Sequence, residues 1–130
     1  MINISINTYL AKTYGPQPCW ELVADWYASE ERRAVAVDYK TATRSIRDMS
    51  SAFRTALHQG GHGFVQTPAP VDGCVVLLGK TDKIGIHHCG IYWQGSVLHA
   101  LPGITLFEPM SVVADGFEVV EFWHQPEAAA

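Results

Sequence analysis

The chain has 130 residues, 48% of them hydrophobic and 17% charged, and its nine basic and 13 acidic side chains leave a net charge of -4. That length predicts one domain over residues 1–130, able to bury roughly two thirds of its unfolded surface without a disulfide or metal staple, and an acidic balance with no stripe of Lys or Arg disfavours nucleic acid as a partner. Three cysteines do not make the even framework of a small disulfide scaffold, and no stretch approaches the roughly 18 apolar residues of a membrane span.

The first segment, MINISINTYLAKTYG, lacks the basic region, apolar run and small-residue cleavage site of a secretory signal, so synthesis and folding in a cytoplasm are expected. Tyr14-Gly15-Pro16-Gln17-Pro18 is rich in turn formers. Beyond it Cys19, Leu22, Val23, Trp26 and Tyr27 recur at helical spacing, which predicts a helix starting at about Cys19. The mixed run Glu30-Glu31-Arg32-Arg33 reads as a solvated face. Ile46, Met49, Phe53, Ala56 and Leu57 predict a second helix, stopped at Gly60-Gly61, where a glycine can take the left-handed cap conformation.

Strands dominate the remainder. GFVQT, GCVVLL, HCGIYW, SVLHA and FEVVEFW are short, β-branched or aromatic, and separated by turn signals such as Asp72-Gly73, Gln94-Gly95 and Asp115-Gly116. Helices followed by an antiparallel sheet make the expected class α+β. The tail QPEAAA has little to hold it on a small domain of its own.

Among polar candidates, Cys19 stands at a helix start, where unpaired N–H groups and the partial positive charge favour a thiolate. Lowering a thiol pKa from about 8.5 to about 6.5 raises the thiolate fraction at pH 7 from roughly 3% to roughly three quarters. A histidine would complete such a nucleophile. In the strand HHCGIYW, alternation puts His88, Gly90 and Tyr92 on one face and His87, Cys89 and Ile91 on the other, which Cys89 and Ile91 mark as the core side. Gly90 then leaves room beside His88 for a helix terminus or a substrate backbone. After the Gln94-Gly95 turn, His99 can lie beside His88 across a hairpin, as a third polar group that orients a base.

GPQPCWELVADWY, VDGCVVLL and HCGIYWQGSVLHA together resemble the three ordered blocks of the NlpC-like cell-wall cysteine peptidases, above all the compact versions in minor tail proteins of tailed bacteriophages. The resemblance covers residues 14–124 and implies a papain-like fold with N-terminal helices on a C-terminal antiparallel sheet. It implies Cys19 as nucleophile, His88 as base and His99 as the group that orients it, with no cofactor or metal. The implied substrate is the peptide stem of bacterial peptidoglycan. The implied setting is a virion tail tip that acts at the host wall or periplasm, with other tail-tip proteins as partners and the tail from residue 125 docked on them. Where the common family has Asp before the cysteine and small residues after it, this chain has Pro18 before and Trp20-Glu21 after, nearer the phage versions. The interval between the two histidines is also about one residue shorter, which a tighter hairpin would absorb.

Other readings stand beside these. His87 would replace His88 only if the strand slipped by one, which would turn Cys89 and Ile91 out of the core. His58, His62 and His124 read as structural, and Cys74 and Cys89 as small apolar fillers. Cys19, Cys74 and Cys89 with a histidine could ligate zinc or an iron-sulfur cluster, although no C-x-x-C or H-E-x-x-H is present. A tail component that keeps the fold without catalysis is the remaining alternative.

Overall fold

The β-branched runs of the second half pair into one six-stranded antiparallel sheet. In the computed structural model, which describes residues 4–31, 46–58 and 63–125, three helices come first: α1 (Ile6–Leu10), α2 (Pro18–Glu30) and α3 (Ile46–His58). The strands β1 (Val65–Thr67), β2 (Val75–Gly79), β3 (His88–Trp93), β4 (Ser96–Leu101) and β5 (Ile104–Pro109) follow, then helix α4 (Met110–Asp115) and strand β6 (Val119–His124). Their order across the sheet is β1-β6-β2-β3-β4-β5. The chain is therefore α+β, as its sequence predicts.

Three elements have no counterpart in the sequence reading: α1, β5 and α4. The first and last are too short, at five and six residues, to display a helical period. Asp115-Gly116, expected as a turn between strands, instead ends α4, with Gly116 at φ -88 in the right-handed region. Gly60-Gly61, Arg32, Arg33, His62 and the tail from Pro126 lie outside the described residues. Among the described residues no helix is long and apolar enough to cross a membrane.

Both faces of the sheet are covered, which explains why all five residues of β2 are buried. On one face Val75, Leu77, Cys89, Ile91, Leu98 and Ala100 pack with Leu22, Val23, Trp26 and Tyr27 of α2. On the other face Val76, Leu78 and Val97 meet Val113 of α4. The stripe read from the sequence as the buried side of α2 is that side, Leu22, Val23 and Tyr27 being fully enclosed.

Polar ties hold the chain before α2 against the sheet. Asp25 of α2 accepts from Lys12 at 2.8 Å and from the Tyr14 hydroxyl at 2.6 Å, and Thr105 of β5 donates to the Lys12 carbonyl at 2.8 Å. Burial pushes the Tyr14 hydroxyl up, and the Asp25 carboxylate it donates to pushes it further. Glu30, read from the sequence as part of a solvated face, accepts from the buried Tyr9 hydroxyl at 3.0 Å. A charge at a helix end has a partner here that composition alone does not reveal.

Candidate functional site

Local chemistry fixes where α2 begins. Pro18 occupies its first turn, and Gln17, the residue at its N-cap, makes no side-chain cap bond. Glu21 supplies acceptors instead: its carboxylate takes the backbone N–H of Gly15 at 3.1 Å and that of Gln17 at 2.7 Å. A Cβ at Gly15 would stand 2.8 Å from the Glu21 Oε1, so the glycine is what lets the carboxylate fold back. The result places Cys19 in the first turn, where its N–H has no carbonyl of the same helix to bond.

The histidines are set by a tight hairpin. Trp93 pairs with Ser96 across Gln94 and Gly95, both at positive φ, 48 and 84, as a two-residue turn with left-handed central residues requires. With a two-residue turn, residues on the same face of the two strands lie an odd number of positions apart, and His88 and His99 are 11 apart. His88 therefore sits diagonally across from His99, within reach of a ring. The rings meet, Nε2 of His88 to Nδ1 of His99, at 2.9 Å, with centroids 5.1 Å apart and planes at 72°. The shorter interval seen in the sequence is absorbed in the turn.

Gly90 makes this approach possible in a way that differs from the expectation. A Cβ there would lie 2.7 Å from the Leu98 carbonyl oxygen, 2.8 Å from Val97 Cγ1 and 3.0 Å from His99 Cβ. The space beside His88 is filled by strand β4, not left for a helix terminus or a substrate backbone.

Cys19 meets two partners. The Cys89 thiol hydrogen-bonds to its sulfur and the His88 side chain bonds to it as well, and together they hold the Cys19 thiol well below the ordinary thiol range although burial opposes them. Burial and the same contact push the Cys89 thiol up. Cys89, expected to be only an apolar filler, is thus the donor that faces the candidate nucleophile. Cys74 is buried with its thiol pushed up by burial, consistent with a filler.

A fourth side chain, absent from the sequence reading, closes the row. Glu108 Oε1 lies 2.7 Å from His99 Nε2. Burial, reinforced by His88, pushes His99 below its ordinary value, while the Glu108 contact acts in the opposite sense. The structure thus brings all three sequence candidates together in the contact order Cys19, His88, His99 and ends the row on Glu108. All three are buried, at 4%, 8% and 6% exposure, and the Trp20 ring beside Cys19 meets Phe53 of α3 edge-on at 6.5 Å.

The remaining histidines are placed elsewhere. His87 precedes β3; its Nε2 accepts the Lys80 N–H at 3.0 Å, its ring meets Phe117 at 5.9 Å, and burial pushes its pKa down. His124 ends β6 opposite Val65, and His58 ends α3. Among the described residues no three His, Cys, Asp or Glu side chains gather as a metal ion would require, so Cys19, Cys74 and Cys89 do not form the ligand set that the metal reading needs.

Comparison with protein-family models, with curated proteins and with solved structures finds no match to this chain. What the arrangement can do follows from its chemistry. A thiol of lowered pKa, a ring that can take its proton and a second ring held by a carboxylate are the parts of a nucleophile, a base and its orienting group.

Proposed function

We propose that the chain is a cysteine hydrolase of papain-like, NlpC-type fold that cleaves amide bonds in the peptide stems of bacterial peptidoglycan and works in a phage tail tip at the host wall. The unbroken row from the Cys19 sulfur through His88 and His99 to Glu108 is the observation that carries this reading. Substrate and setting rest on the resemblance of the three sequence blocks.

In this mechanism His88 takes the proton of Cys19, and the thiolate attacks the amide carbonyl carbon. The Cys19 N–H at the helix start is one donor to the oxyanion, a contact worth roughly 2.7–4 kcal/mol in other hydrolases. Collapse of the tetrahedral adduct breaks the C–N bond as His88 returns its proton to the leaving amine. Water, deprotonated by His88, then attacks the thioester; the C–S bond breaks and the carboxylate leaves. Since His88 Nε2 is engaged by His99, Nδ1 is the ring nitrogen for these transfers.

The test is release of stem peptides from purified cell wall. Cys19→Ala is expected to abolish release with the fold intact, and unchanged release by a folded variant ends the hydrolase reading. At pH 6, iodoacetamide should modify Cys19 far faster than Cys74 or Cys89, and His88→Ala should remove that advantage. The burial of Cys19 and His88 is the one feature that favours a purely structural tail component; on that reading the wild-type chain releases nothing.

A further inference from the structure

We infer that Glu108 is a positioning residue that sets which nitrogen carries the proton in both histidines of the site, and so leaves His88 able to accept the proton of Cys19. This rests on the reading of Cys19 and His88 as nucleophile and base.

The argument is one of donors and acceptors. A carboxylate only accepts, so at 2.7 Å the His99 Nε2 must carry a hydrogen. A neutral imidazole with its hydrogen on Nε2 has a lone pair on Nδ1. That lone pair faces His88 Nε2 at 2.9 Å, so His88 donates from Nε2 and keeps its own lone pair on Nδ1. One carboxylate thereby aligns two rings. Burial keeps His99 in the neutral form this requires, pushing its pKa down.

Without the carboxylate, His99 could carry its hydrogen on Nδ1 instead. It would then donate to His88 Nε2, and His88 would present Nδ1–H to the thiol, unable to accept. When His88 does take the Cys19 proton, it holds hydrogens on both nitrogens. Its Nε2–H stays donated to His99, and Glu108 stays a carboxylate throughout, as in other triads whose acid orients without being protonated.

Placement fits this role. Val97 pairs with Glu108 and His99 with Leu106, so Glu108 stands two residues along β5 from the residue opposite His99, on the same face. Its side chain is 38% exposed, so replacing it does not open a cavity in the core.

The experiment uses the full chain with histidine labelled in 15N and long-range 1H–15N correlation at pH 7.5. In the wild type, His99 and His88 should each carry the neutral-state hydrogen on Nε2. In Glu108→Leu both rings should become mixtures of the two forms, with an unchanged melting temperature. Cys19 alkylation and stem-peptide kcat should fall roughly 10- to 100-fold, the loss typical when the group behind a functional histidine is removed, with KM little changed. A wild-type His99 protonated on Nδ1 overturns the inference even if the variant does not fold. So does a Glu108→Leu chain with unchanged ring forms and alkylation rate. Failure of the wild type to release any stem peptide would instead sink the hydrolase reading, since ring protonation and alkylation report on Glu108 without it.

Discussion

The two faces of the sheet are built to different ends. The face under α2 is filled with aromatic and branched side chains, Trp26, Tyr27, Leu22 and Ile91 among them. The other holds four buried apolar residues and carries the row His88, His99 and Glu108. Cys19 and Cys89 belong to the first face and the rings to the second, and they meet where β3 begins. One face supplies the rigidity and the other the directed polar contacts, because a buried polar row is tolerable only when every member has a partner. On the polar face Phe117 stacks on His88 at 6.2 Å and 19°, an apolar wall against the base.

The largest effect expected from this division is on the apolar face. Leu22 is fully buried between α2 and the sheet, and Leu22→Ala should cost about 2–5 kcal/mol in transfer and cavity terms, read from urea unfolding. A loss below about 1 kcal/mol would mean that the face under α2 does not carry the stability assigned to it. Gly90→Ala comes next. The added methyl meets the Leu98 carbonyl at 2.7 Å, a backbone atom that cannot swing aside, and overpacking of this kind costs about 1–3 kcal/mol. Because the same methyl presses on His99 Cβ, the variant should also lose the alkylation advantage of Cys19. Full stability with full Cys19 reactivity would show that the hairpin yields more easily than its geometry implies.

How much of this was legible in the sequence depends on the range of the signal. The buried stripe of α2 and the His88–His99 pair are local: one needs a helical period, the other a two-residue turn and strict alternation. Glu108 is not local. It stands in Ile104–Pro109, bracketed by Pro102 and Pro109, and only the pairing of β5 with β4 brings it to His99. Alternation correctly put Cys89 on the core side, but where the first turn of α2 lands on that side is a tertiary fact with no spacing to announce it. Glu30 makes the same point, since its partner Tyr9 lies 21 positions away on α1. An acidic residue alternating with apolar ones in a strand is the signal that could have singled out Glu108, as a charge aimed at a mostly apolar face.

The smallest expected effect separates the faces by pH. His87 and His99 both have folded pKa values below the ordinary 6.5, with burial the first cause in each. Below about 6.5 the unfolded chain protonates these rings while the folded chain does not, so the unfolded state binds more protons and stability falls as pH drops. Asp25 is also lowered, from 3.8, but its contribution is lost only at more acid pH, so unfolding between pH 7.5 and 5.5 isolates the histidines. His87→Gln is the informative variant, because a Gln carbonyl can still accept the Lys80 N–H that His87 Nε2 takes at 3.0 Å while removing the titrating ring. The wild type should lose stability between pH 7.5 and 5.5, and His87→Gln should lose less. A wild type equally stable at both values would mean that the rings protonate in place, and that the polar face is more open to water than His88 and His99, at 8% and 6% exposure, indicate.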